Sequence, residues 1–158
     1  MTIRTIINRK VMGLITADEH EVFLSLAERL KKHDIGVLLV MDLAGGLLGI
    51  VSERDLVRAI ASGSANALAL TAQDLMTRKV IVCSPNDTEL DVMMKMVDRH
   101  IRHMPVVDDG RVVGLVSLAD VVKQRLTKLG HSVGETRATP SLDSIGGSFS
   151  RHLAARVR

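Results

Sequence analysis

Apolar positions in this chain follow two rhythms that alternate in a fixed order. In EVFLSLAERLKKH, Val22, Leu26, Ala27 and Leu30 recur at helical spacing, and in DTELDVMMKMVDRH so do Leu90, Met93, Met94 and Val97. Each stretch predicts a helix of about a dozen residues with those side chains on its buried face. Two short aliphatic runs joined by a turn follow each helix, VLLVMDLAGGLLGIV and MPVVDDGRVVGLV. In the second, Asp109-Gly110 between β-branched runs predicts a tight hairpin, because glycine accepts the positive φ such a turn needs. A second helix comes next, from Glu53 to about Ala61 and from Leu118 to about Leu129, and a short strand precedes each first helix, GLIT and VIVC. The pattern is β-α-β-β-α, written twice.

The duplication extends to single residues. GIVSERDLV, Gly49 to Val57, falls on GLVSLADVV, Gly114 to Val122, with 5 of 9 residues identical, and His33 to Val40 falls on His100 to Val107. Laid so, Gly36, Val37 and Leu38 stand opposite His103, Met104 and Pro105, and the first half carries a connection two residues longer. One unit of this size buries too little of its sheet to stand alone. The expected fold is therefore α/β, two β-α-β-β-α repeats at 9–62 and 76–129 packed sheet to sheet about a pseudo-twofold. A linker at 63–75 joins them, in which Thr71 can cap a short helix. In the remainder, 130–158, 12 of the 21 residues from Gly130 to Ser150 are Gly, Ser, Thr or Pro, so a flexible tail is expected.

Ser52-x-x-Asp55 and Ser117-x-x-Asp120 stand where a strand meets a helix, and two readings of them are open. One is a helix cap, the serine oxygen accepting from an orphan N–H while the acid reaches back. The other is a ligand site. Capping boxes favour Glu or Gln at the third position, whereas both halves use Asp after Gly-aliphatic-Val, and a strand glycine lets another group approach the backbone. A helix N-terminus with a hydroxyl suits phosphate, and a neighbouring carboxylate suits a ribose diol.

With these elements in order, Pro-Val-Val, Asp-Gly, Gly-Leu-Val-Ser and Asp, the chain from about Arg9 to Leu129 resembles a tandem pair of cystathionine-β-synthase (CBS) domains, a Bateman module, in its stand-alone bacterial form. The resemblance implies adenosine-containing ligands (AMP, ADP, ATP, NAD(H) or S-adenosylmethionine) in clefts between the repeats. It implies that Asp55 and Asp120 bind ribose hydroxyls and that Ser52 and Ser117 line the ribose or phosphate region. Residues around Gly13 to Thr16 and Val80 to Val82 would enclose the adenine. Arg102 and His103, the basic pair before Pro105-Val106, would face phosphates, as would Arg54 beside Asp55 in the first half. It further implies a homodimer that signals ligand occupancy to a regulated partner protein.

Composition narrows the alternatives. The chain has no Trp or Tyr and two Phe, which removes stacking platforms for single-stranded nucleic acid. Its net charge of +3 arises mostly after Gly130, where 4 Lys/Arg face 2 Asp/Glu, so a nucleic-acid partner is not expected. No stretch approaches the roughly 18 apolar residues of a membrane span and none resembles a leader, which predicts a cytoplasmic protein with no membrane partner. A lone Cys83 predicts a buried strand thiol. His100 and His103 are expected at the helix end and in the following turn, which does not predict a metal site. Phosphate-loop, dinucleotide and nucleophile-elbow motifs do not occur, and neither a catalytic cofactor nor catalysis is expected.

Overall fold

The computed structural model describes residues 2–10, 13–63, 66–128 and 130. Chain contacts divide the protein into Met1–Arg125, which holds both repeats, and Leu126–Arg158. The expected tail, apart from Gly130, lies outside the described residues.

In chain order the elements are α1 (Ile3–Ile7), β1 (Thr16–Asp18), α2 (Phe23–His33), β2 (Val37–Met41), β3 (Leu47–Ser52), α3 (Glu53–Ala61), a 3-10 turn (Ala67–Ala69), α4 (Ala72–Leu75), α5 (Glu89–Asp98), β4 (His103–Asp108), β5 (Arg111–Ser117) and α6 (Leu118–Lys128). They form an α/β fold with two sheets, β1-β2-β3 and β4-β5. In the first, β1 runs parallel to β2 and β3 antiparallel; β4 and β5 are antiparallel. Asp109 and Gly110 both take positive φ in the β4–β5 turn, as expected. Thr71 caps α4.

The expected first strands are displaced. GLIT meets the ladder only at Thr16, where β1 begins opposite Leu39. VIVC contributes a single bridge, Cys83 to Val106, closed by Cys83 N–H to the Pro105 carbonyl (3.0 Å) and Val107 N–H to the Cys83 carbonyl (2.8 Å). Gly13 to Ile15 and Val80 to Ile81 instead line clefts described below.

The residue-level alignment also shifts. Val37 pairs with Ser52 and His103 with Ser117, so the counterpart of His103 is Val37, and Gly36, Leu38 and Leu39 correspond to Arg102, Met104 and Pro105. Matching His33 to His100 misled the alignment by one position. His33 ends α2, whereas His100, like Asp34, occupies the left-handed turn after its helix (φ 53° and 52°). Met41–Leu47 and Val107–Val112 are then equivalent pairs enclosing five and four residues, so the first connection is longer by one residue rather than two.

The buried face of α2 holds Leu26 and Leu30 as expected, but Phe23 replaces Val22, which is 46% exposed. On α5 the expected face is wrong. Val92 and Met96 are fully buried and Met93 partly, while Leu90, Met94 and Val97 lie on the exposed side. This helix is apolar on two faces, so periodicity alone does not choose between them.

Packing crosses between the halves. The core of the first repeat takes in Ala72 and Met76 from the segment leading into the second. The core of the second takes in Ile3 and Ile6 from α1, a helix the hydrophobic pattern did not suggest. Ile3 is fully buried, and α1 is tied down by Ile3 N–H to the Asp87 carbonyl (3.0 Å) and Arg4 N–H to the Pro85 carbonyl (2.8 Å).

Candidate functional site

Ser52 ends β3 and Asp55 lies in the first turn of α3. One carboxylate oxygen of Asp55 accepts from the Ser52 amide (2.8 Å) and the Ser52 hydroxyl (2.6 Å). Asp120 repeats this with the Ser117 amide (2.7 Å) and hydroxyl (2.6 Å). Both motifs are therefore helix caps. The same arrangement occurs at Thr71-Asp74, and Thr88 caps α5 with Asp91 in its first turn, the Thr88 hydroxyl donating to Asp91 (2.7 Å). Aspartate at the third position is thus this chain's ordinary cap and does not by itself distinguish a ligand site. Location does, since Asp120 and Asp55 each line one of two clefts and neither Asp74 nor Asp91 belongs to those linings.

The strand glycines do admit a close neighbour. A Cβ on Gly49 would stand 2.5 Å from the Met76 sulfur, and one on Gly114 would stand 2.8 Å from Cγ2 of Ile7. Each glycine seats the segment leading into the other repeat, and each segment ends in a lysine beside a cavity, Lys10 and Lys79.

The first cleft, about 590 Å³, is lined by Gly13 to Ile15 and Asp34 to Val37 of the first repeat, and by Ser117 and Asp120 of the second. The other, about 330 Å³, reverses the roles, with Ser52 and Asp55 of the first repeat facing Lys79 to Ile81 and His100 to His103 of the second. Gly36, Val37 and His103 line both and form a shared wall. Both volumes suit a small molecule.

Among the expected site residues, Gly13, Ser117 and Asp120 line the first cleft, while Ser52, Arg54, Asp55, Val80 and Arg102 line the second. Thr16 is held in β1, Val82 lines neither cleft, and Pro105 is buried in β4 opposite Leu115. His100 lies beyond α5 in the left-handed turn, and His103 begins β4 rather than occupying a turn. No group of three or more metal-ligating side chains stands together among the described residues.

Lys10 and Lys79 were missed, although a signal exists. NRKV at Asn8 to Val11 and TRKV at Thr77 to Val80 repeat at a spacing of 69, which is 79 minus 10, outside the 65-residue spacing of the Ser-x-x-Asp motifs. Lys10 Nζ donates to Asp120 (2.7 Å) and to the Leu115 carbonyl (2.8 Å). Burial raises the Asp120 carboxyl, but the hydrogen bonds from Lys10 and Ser117 outweigh it and hold the group below the usual carboxylate value. Burial, assisted by the nearby Arg102 charge, lowers His103 below 6.5. Burial lifts the Cys83 thiol to about 11, which leaves it protonated and a poor nucleophile at neutral pH.

The family model for the CBS domain matches residues 3–62 and 72–126. A protein of Methanopyrus kandleri is 33% identical over 112 residues, 70% of this chain and 57% of that protein. The chain spans about half the length of the first curated relatives it matches, 57% and 47%. A CBS-domain containing protein from Agrobacterium tumefaciens superimposes with a TM-score of 0.75 at 35% identity, over 79% of this chain and 99% of that one. The CBS domain pair of protein MJ0100, solved in complex with 5′-methylthioadenosine and S-adenosyl-L-methionine, superimposes with a TM-score of 0.72 at 31% identity, over 81% and 98%. Among the described residues no helix is long and apolar enough to cross a membrane.

Proposed function

This chain belongs to the CBS domain family, and from that membership we propose that it is a non-catalytic regulatory module that binds adenosine-containing ligands in its two clefts. The observation that carries the reading is the placement of the caps. Of five Ser/Thr-x-x-Asp pairs in the chain, the two in equivalent positions of the repeats, Ser52-Asp55 and Ser117-Asp120, face cavities assembled from both halves. Asp55 and Asp120 would hold the ribose hydroxyls, and the backbone and aliphatic groups at Gly13 to Ile15 and Val80 to Ile81 would enclose the adenine. A ligand touching both repeats favours whichever relative arrangement it fits better, and that difference in affinity is the signal a partner protein reads. The exposed apolar stripe Leu90, Met94 and Val97 on α5 supports self-association as a homodimer.

The competing reading is a structural or interaction module whose caps only cap, and the matching bonds at Ser52-Asp55, Ser117-Asp120 and Thr71-Asp74 favour it. Thermal unfolding with AMP, ADP, ATP, NAD, NADH, 5′-methylthioadenosine and S-adenosylmethionine separates the two. A ligand at about 100 times its dissociation constant adds about 2.7 kcal/mol, or a rise of roughly 2 to 4 °C per kcal/mol in a chain of this size. The sensor reading expects such a rise for at least one compound and its loss in the Asp55→Ala/Asp120→Ala double variant. No rise for any compound at millimolar concentration would overturn it.

A further inference from the structure

We infer that the two clefts select ligands by charge: the cleft at Asp55 takes a nucleoside carrying two or more phosphates, and the cleft at Asp120 takes an adenosine derivative carrying none. This rests on the adenosine reading above and assigns each cleft its ligand class.

The linings differ in sign. Around Asp55 stand Arg54, Arg58, Lys79 and Arg102 against the carboxylates of Glu53 and Asp55. All four cations are exposed, placing their charge at the mouth of the cleft. Arg58 approaches Asp55 only to 3.9 Å, and among the described residues no carboxylate lies within salt-bridge distance of Arg54, Lys79 or Arg102. A cavity of about 330 Å³ would hold the nucleoside while its phosphates extend to these cations, the strongest class of hydrogen-bond donor for a phosphate.

Around Asp120 the balance is reversed. Its lining holds Lys10 against Asp34 and Asp120, and Lys10 is already engaged by Asp120 and the Leu115 carbonyl. His103, kept below its ordinary pKa, adds no charge at neutral pH. Ile7, Leu14, Ile15, Val113 and Leu115 line the rest. An apolar 5′ substituent fits this surface, whereas a phosphate would meet two carboxylates with no unpaired cation.

The difference arises at equivalent positions. Asp34 and Gly36 in one half correspond to His100 and Arg102 in the other, and Ala119 on α6 corresponds to Arg54 on α3. The caps and the lysine are shared, and the Arg54 and Arg102 charges are not.

Calorimetric titration of the full chain with ATP and with 5′-methylthioadenosine tests the assignment. Each compound is expected to bind once per chain, and saturation with one should leave a site for the other. Arg54→Ala/Lys79→Ala should weaken ATP about tenfold or more and leave methylthioadenosine unchanged. Asp120→Asn keeps an acceptor for the Ser117 amide and so preserves the fold, and it should weaken methylthioadenosine while sparing ATP. Added salt should weaken ATP alone. Competition between the two compounds, or loss of ATP rather than methylthioadenosine in Asp120→Asn, overturns the inference and leaves the adenosine reading standing. If neither compound binds, this inference is overturned, and the adenosine reading falls with it if the other compounds also fail.

Discussion

The clefts at Asp55 and Asp120 share a frame and differ in what the frame presents. Both have a Ser-x-x-Asp cap, a strand glycine under a borrowed side chain and a lysine from the segment leading into the facing repeat. They part at the four residues that lead into and begin the strand, Asp34-Ile35-Gly36-Val37 in one and His100-Ile101-Arg102-His103 in the other. The frame carries the hydrogen bonds that hold strand to helix, so changes there disturb the fold. In the four-residue stretch Arg102 places charge at a cavity wall and is exposed, so its side chain can change at little structural cost.

The largest test of this comparison concerns the frame. Ile3→Ala removes a fully buried side chain from the second core and should lower stability by about 2–5 kcal/mol in urea unfolding. Amide exchange should accelerate first in β4 and β5 rather than in β1 to β3, although Ile3 precedes the first repeat. Exchange accelerating first in β1 to β3 would contradict the crossed packing.

A smaller effect sharpens the division between cap and site. Asp74→Ala and Asp91→Ala should each cost about 1 kcal/mol, typical of a lost cap, with the ligand-induced rise in melting temperature intact. Asp55→Ala and Asp120→Ala should cost a similar amount and also lose the response of their own cleft. If Asp74→Ala weakened binding as much as Asp55→Ala, cleft position would not be what distinguishes these residues.

The smallest expected effect belongs to His103, the first residue of β4. His103 is held below its ordinary value of 6.5, so between that value and its folded pKa the unfolded chain binds more protons and stability rises with pH. The His103 contribution is complete above 6.5 and is lost as pH falls through the folded pKa. Asp120, lowered from 3.8, adds a loss in stronger acid with the same sign. His103→Val, which installs the residue of the equivalent position in the first half, should flatten the first of these losses in urea midpoints compared between pH 7.5 and 5.

Local chemistry made much of this legible in the sequence. The Asp109-Gly110 turn, the Thr71 cap and the helix after each Ser-x-x-Asp motif depend on residues within four positions of one another, and they appear where expected. Long-range choices were not legible. The buried face of α5 depends on which sheet it meets, since Leu90, Met94 and Val97 are as apolar as Val92 and Met96. Lys10 gains its role from Asp120, 110 positions later (120 minus 10), and nothing near Lys10 announces that partner. Of the stretches expected to enclose an adenine, Gly13 to Ile15 and Val80 to Ile81 line the clefts, whereas their outer members, Thr16 and Val82, fall outside the linings.

The crossed packing also sets an order in time. A ribosome releases α1 before either repeat, yet the surface that buries Ile3, Ile6 and Ile7 includes β5, near the end of the described chain. The first repeat likewise lacks Met76 until the linker has emerged. A nascent chain must therefore carry an unseated apolar helix through most of its synthesis, and closing that long loop is entropically late. Residues made before either repeat are thus among the last to reach their native place.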